Sequence, residues 1–262
     1  MEPREVIEVT TGVWVVTSRL YQTTSTIVAR DGKALLIDPA WTPDELEGLA
    51  ATIAHLGLSV TCGYSTHAHY DHLLWHASYG DPPRWATART VEVVAAERDR
   101  LHAQLGEALA RAVGDAFARV SPLASDHVPD PFGPGGPDER IEVIVHDGHC
   151  PGHGALWFPE RDLLLAADML SDFEFPLPFD PDDLPAYLTG LERLAPYVER
   201  ARFLITGHGS PTNAPMERLE ADCAVLGGLI AGHDVDDMRR FEPGGDETYH
   251  RLRALARAHT AR

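Results

Sequence analysis

Between Ser65 and His72 the chain reads Ser-Thr-His67-Ala-His69-Tyr70-Asp71-His72, three imidazoles and a carboxylate packed almost side by side. In an extended backbone side chains at i, i+2 and i+4 share a face, so His67, His69 and Asp71 are expected to point the same way. His72 joins them only if the chain turns at once. Imidazole nitrogen together with carboxylate oxygen suits zinc, manganese or iron better than calcium or magnesium. A polar loop that happens to be rich in histidine is the plain alternative, and a single His-x-His pair would fit it. Four ligand-type residues at this spacing, with further ligand types at later strand ends, point to a metal site.

The elements that must position this cluster are legible from local pattern. Val6–Val9, Gly12–Thr17, Thr26–Arg30 and Ala34–Asp38 are β-branched or apolar runs, and Asp31-Gly32 is a hairpin turn signal between the last two. Thr42, Pro43 and Glu45 supply an N-cap, a first-turn proline and a capping box for a helix with the apolar stripe Leu46, Leu49, Ile53 and Leu56. The run from Leu58 to Thr66 is a strand that delivers the cluster at its C-terminal end. A short helix is expected over Leu73–Ser78, a strand around Trp85–Thr87, and helix from Val91 to Val120 with a possible break at Gly106 or Gly114. Ser121–Pro137 is rich in proline and glycine and reads as a loop, either a lid or a mobile connection. Beyond it come strands at Arg140–His146, Ala155–Phe158, Leu163–Ala167 and Arg202–Thr206, with helices over Asp182–Val198, Met216–Ala231 and Thr248–Ala258.

Three of these later strands also end in ligand types: His149 after the first, Asp168 after Leu163–Ala167, and His208 after the last. If the strand ends lie along one edge of a sheet, these side chains converge with the cluster. An aspartate ending a buried apolar strand is costly unless it is paired or bound to metal.

Composition narrows the function. With 262 residues, 44% hydrophobic and 24% charged, the chain is an ordinary globular one, expected as a single domain over 1–262 with a helical and loop insertion at about 88–138. No apolar run approaches the ~20 residues of a membrane span. The segment Met1-Glu2-Pro3-Arg4-Glu5 lacks a signal-peptide pattern, so the expected location is cytoplasmic. Cys62, Cys150 and Cys223 have no CxxC spacing, which argues against disulfides. A net charge of −18 without a basic cluster argues against a nucleic-acid partner. A small-molecule substrate is expected, and the helical segment leaves a homodimer open.

The motifs Thr66-His67-x-His69-x-Asp71-His72, Gly148-His149-Cys150-Pro151-Gly152-His153, Asp168 after its buried strand, and Gly207-His208-Gly209 together resemble the metallo-β-lactamase superfamily of metal-dependent hydrolases. Asp38 also sits where that superfamily places an aspartate. The resemblance spans roughly Gly12 to Pro211 and implies an α/β four-layer αββα sandwich with the site at one edge. It implies one metal on His67, His69 and His149, a second on Asp71, His72 and His208, and Asp168 bridging them. Of the two histidines in the second motif, His149 precedes a small residue, Pro and Gly as the ligand does in the family; His153 is the runner-up. Two divalent cations, zinc or else iron or manganese, would share a hydroxide, with Asp71 orienting it and Tyr70 a candidate for the developing oxyanion.

The resemblance supports hydrolysis of a carboxylic ester, lactone or thioester of a small acyl substrate. Acyl-homoserine lactonases typically carry a tyrosine three residues after the bridging aspartate, and Ser171 stands there. The glutathione-binding basic cluster of glyoxalase II-like thioesterases has no counterpart. A persulfide-oxidising non-haem iron enzyme using His67, His149 and Asp168 is the alternative from another class, with phosphodiester or β-lactam hydrolysis on the same site as further options. A non-catalytic binding protein on this fold would show eroded ligands, and none is eroded.

Overall fold

The computed structural model describes residues 4–137 and 139–260; Met1–Pro3, on which the signal-peptide reading partly rests, lie outside them. Seven strands form one sheet in chain order: β1 (Val6–Thr10), β2 (Val13–Thr17), β3 (Thr24–Arg30), β4 (Lys33–Ile37), β5 (Ser59–Tyr64), β6 (Arg84–Ala86) and β7 (Ser121–Pro122). The second sheet holds β8 (Glu142–His146), β9 (His153–Phe158), β10 (Leu163–Ala167) and β11 (Phe203–Thr206) in the order β11-β10-β9-β8. Helix α1 (Pro43–His55) links the parallel pair β4 and β5; α2 (Ala88–Ala103) and α3 (Gly106–Val113) lie between β6 and β7; α4 (Leu184–Val198) links the parallel pair β10 and β11. Helices α5 (Pro215–Ile230) and α6 (Gly245–Thr260) follow.

Alternation along the strands builds the layers. Val13, Val15, Leu35 and Ile37 of the first sheet meet Leu156, Phe158, Leu163 and Leu165 of the second in the central core. The alternate residues face outward: Val16, Ile27 and Leu36 pack on α1, α2 and α3, while Trp157, Leu164 and Leu204 pack on α4, α5 and α6. Both sheets are therefore buried on both faces, and the chain is a four-layer αββα sandwich.

Local chemistry accounts for the turns. Asp31 and Gly32 both have positive φ, 51° and 75°, as the two-residue β3–β4 hairpin requires. The Glu45 carboxylate accepts the Thr42 N–H at 3.2 Å, as a capping box should, and also takes the Ser18 hydroxyl at 2.7 Å and the Arg19 N–H at 2.9 Å. The start of α1 is thereby tied to the loop that follows β2.

Three local expectations are corrected. The Leu73–Ser78 helix does not form; 3₁₀ turns at Tyr70–His72 and Ala77–Tyr79 flank an irregular stretch whose Leu73, Leu74 and Trp75 are held in the core. The long helix begins at Ala88 on the Thr87 cap and breaks before Gly106, whose φ is 70°. Ser121 and Pro122 are not wholly loop but pair with β6 at the sheet's end.

Replacing Leu165, 3% exposed between the sheets, by alanine should cost about 2–5 kcal/mol in urea unfolding with little change in m. Leu20→Ala, at a site 42% exposed, should stay within about 0.5 kcal/mol.

Candidate metal centre

The ligand-type residues meet at the ends of strands from both sheets rather than along one sheet edge. β5 delivers the cluster from the seven-stranded sheet; β8, β10 and β11 deliver His149, Asp168 and His208 from the other. Asp38 (φ 46°) and Ala167 (φ 47°) adopt the left-handed region directly after or at the end of their strands, a strained backbone that turns Asp38 and Asp168 out of the ladder. Gly207 packs so closely on Asp168 that a Cβ there would overlap its Oδ1.

Two groups result. In the first, His67 Nε2 lies 2.9 Å from His69 Nδ1, which is 3.2 Å from His149 Nε2; Asp168 Oδ2 is 3.2 Å from His67 and 3.5 Å from His149. In the second, His72 Nε2 lies 3.2 Å from Asp71 Oδ2 and 3.4 Å from His208 Nε2. Asp168 serves both, its Oδ1 standing 3.3 Å from His72. Asp71 does not share a face with His67 and His69 as an extended strand would have it. The chain turns into the 3₁₀ turn at Tyr70, which carries Asp71 and His72 together to the second group.

The outer ring nitrogens decide what the inner ones can be. His149 Nδ1 donates to the Leu177 carbonyl at 3.0 Å and His208 Nδ1 to the Tyr21 carbonyl at 2.8 Å. His72 Nδ1 donates to Asp38 Oδ2 at 2.9 Å. The Thr66 hydroxyl gives its proton to Asp38 at 2.6 Å and so accepts from His67 Nδ1 at 2.9 Å. In the neutral rings each Nε2 is then a bare lone pair aimed inward. One proton on His69 Nδ1 can satisfy His67 or His149 but leaves the other facing it unpaired. A cation answers this arrangement: edges near 3.2 Å between donors place each about 2 Å from a tetrahedral centre, the bond length of zinc to nitrogen or oxygen.

The electrostatics differ between the groups. Burial, with the His67 ring beside it, outweighs the pull of Asp168 and holds His149 down at about 3. Burial, then His67 and His149, holds His69 well below the usual imidazole value, so both of these rings are neutral. Burial works against charge on His208, but Glu174, Asp168 and Asp71 outweigh it and push the ring up to about 10. Burial would raise Asp168, yet His72, His67 and His208 hold it well below the carboxylate range. The second group thus keeps a proton that a cation must displace.

The family model for the metallo-β-lactamase superfamily matches residues 18–227. The chain belongs to the metallo-β-lactamase superfamily. A metallo-β-lactamase from Pontibacter korlensis is 20% identical over 84% of this chain and 99% of that one, with a TM-score of 0.62. A metallo-β-lactamase family protein from Thermus thermophilus gives 21% identity, 97% and 92% coverage and a TM-score of 0.65. A stereoselective inverting sec-alkylsulfatase from a Pseudomonas species gives 16% identity over 98% of this chain and 50% of that one, with a TM-score of 0.69. At these identities the likeness is one of fold. No curated protein sequence matches. Superfamily membership and the His/Asp cluster together make the chain a metal-dependent hydrolase.

His153 lies outside both superfamily ligand groups. Its ring stacks on His67 at 5.3 Å and on His146 at 4.6 Å, fully buried, where burial holds it well below the ordinary value. Cys150 is buried and its thiol is pushed up by burial, which removes it as a nucleophile. A cavity of about 650 Å³ opens over both groups, lined by Tyr21, Trp41, Tyr70, Phe173, Glu174 and Phe179 among others. Ser171 is not a ligand or pocket residue but a brace. Its hydroxyl donates to the His208 carbonyl at 2.8 Å and accepts the N–H groups of Phe173 and Glu174 at 2.9 Å. Sequence reading missed Tyr21, Ser171 and Glu174 in these roles; only their nearness in sequence to β3 or to Asp168 could have signalled them.

Loading chelated protein with zinc at pH 7–8 should release protons, because its carboxylate neighbours push His208 up to about 10 without metal and its ring must be bare to bind. Apparent affinity should therefore rise with pH across that window, up to about tenfold per unit; calorimetry in buffers of differing ionisation enthalpy checks it. Gly207→Ala should lower bound metal through the clash with Asp168, read by elemental analysis on folded protein.

Proposed function

We propose that this chain hydrolyses a carboxylic ester, lactone or thioester of a small acyl substrate at a two-cation centre. The observation that carries the reading is Asp168, which stands within 3.5 Å of both ligand groups, Oδ2 beside His67, His149 and His208 and Oδ1 beside His72. By this reading His67, His69 and His149 hold one cation, Asp71, His72 and His208 the other, and Asp168 both. The donor set suits zinc. Bound there, divalent cations lower the pKa of a water and polarise the scissile carbonyl.

The chain's own residues supply the rest. Asp71, buried and 3.2 Å from His72 and 3.6 Å from His208, is the carboxylate placed to orient the attacking water and take its proton. Tyr70 precedes it and lines the cavity; burial pushes its hydroxyl above the ordinary phenol range, so it serves as a donor to the carbonyl oxygen as charge develops. Trp41, Phe173, Phe175 and Leu177 give the cavity apolar walls that suit an acyl or aryl group and exclude bulk water. Every arginine lining it already faces a carboxylate, which fits a small acyl substrate better than a polyphosphate backbone.

Protein purified without added metal and then loaded should hold close to two transition-metal equivalents and cleave a chromogenic ester, lactone or thioester. Asp168→Asn should lower kcat/KM by at least about 10²-fold with loss of metal, and Tyr70→Phe should lower kcat by about 10²-fold with KM little changed. Metal content near zero in folded, supplemented protein would overturn the reading. One equivalent of iron with oxygen uptake on a persulfide would replace it with the oxidative one.

A further inference from the structure

Two carboxylates lining the cavity, Glu174 and Glu247, have no assigned role and no arginine partner among the described residues, and Glu174 is the one beside the ligand groups. Glu174 sits half-buried, 35% exposed, with Oε1 at 3.8 Å from His208 Nδ1, and no lysine or arginine pairs with it among the described residues. The cationic side chains of the same cavity are engaged elsewhere. Arg89 pairs with Glu92 at 2.9 Å, Arg100 with Asp180 at 3.0 Å, and Arg251 with Asp182. The unbalanced charge on the cavity wall is therefore negative.

The position of that charge is built rather than incidental. The Glu174 N–H is taken by Ser171 Oγ at 2.9 Å and its carbonyl by Arg239 Nη1 at 3.2 Å. Arg239 is itself 5% exposed and anchored to Asp222 at 2.6 Å and Asp237 at 2.9 Å. A backbone clamped at both ends fixes where the side chain starts, so a ligand has only its χ rotations to order. Phe173 and Phe175, on either side of it in sequence, line the same cavity, as do Tyr21 and Trp41. A carboxylate fixed beside aromatic walls favours a cation, chiefly through charge attraction, since the Phe175 face already carries Arg239 at 5.1 Å. It disfavours an anion for the same reason.

We propose that Glu174 selects substrates bearing a cationic nitrogen, an ammonium or trimethylammonium group, over neutral and anionic analogues. The proposal rests on the hydrolase reading only for the word substrate; the recognition itself is a binding property.

Two measurements on metal-loaded protein separate the claims. The first is calorimetric binding of benzyltrimethylammonium, benzyl alcohol and phenylacetate. The second is hydrolysis of three thioesters with one leaving group, whose acyl chains end in trimethylammonium, tert-butyl or carboxylate. The cation should bind at least about tenfold more tightly than the alcohol, with phenylacetate weakest. In Glu174→Gln the ratio of cationic to neutral affinity, and of the corresponding kcat/KM values, should fall about tenfold at unchanged metal content. Equal binding of the three probes by the wild type, or a ratio that Glu174→Gln leaves alone, overturns the proposal whatever the hydrolysis shows. Selective binding with no thioester cleaved leaves the proposal standing and counts against the hydrolase reading alone.

Discussion

An imidazole that donates from one nitrogen has only a lone pair to offer from the other. That constraint governs the centre of this protein. The carbonyls of Leu177 and Tyr21, the carboxylate of Asp38 and the hydroxyl of Thr66 each claim one ring proton, so four Nε2 atoms face inward, each a bare lone pair once its ring is neutral. Such an array repels itself until something positive fills it. The ligand rings are thus pre-set by partners that lie outside the ligand set, and those partners depend on packing far from it. Tyr21 is one example: its loop is held by Ser18 and Arg19 on Glu45, the residue that also caps α1, while Thr24 N–H donates to the Gly207 carbonyl at 2.7 Å.

The same loop shows how the two sheets share the work. The seven-stranded sheet contributes a contiguous run of ligands, and the four-stranded sheet contributes single residues from three strand ends. Ser171 and Arg239 then fasten the segment after Asp168, so that the cavity wall and the Asp168 carboxylate are parts of one braced turn. The proposed selecting carboxylate and the metal-holding groups are in this way mechanically adjacent, Glu174 lying within reach of Asp168 and His208. Glu174 projects from that turn without belonging to the ligand set assigned above.

Much of this was legible in the sequence because it is local. Alternating apolar runs, the Asp31-Gly32 turn, the Thr42–Glu45 cap and the glycines around His149 and His208 all carry their reasons within a few residues. The ligand types at strand ends were visible for the same reason. Legibility failed where the deciding partner was distant or was backbone. Nothing in Tyr70 announces the 3₁₀ turn that sends Asp71 away from His69, since core burial of Leu73, Leu74 and Trp75 sets that path. A carbonyl acceptor such as that of Tyr21 has no sequence signature at all, and Arg239 is one arginine among many until Asp222 and the 171–174 turn are brought to it.

Because its donors come from both sheets, a cation held at this centre acts as a tie between chain segments 141 residues apart (208 − 67). Its effect on the unfolded ensemble is that of a long-range staple, closing a loop whose entropy is otherwise lost only on folding. Unlike a covalent staple it forms under reducing conditions and is set by the free concentration of an ion. The chain has three free cysteines and, among its described residues, no disulfide. A cation at this centre would fasten the sandwich with the same chemistry that would run the reaction.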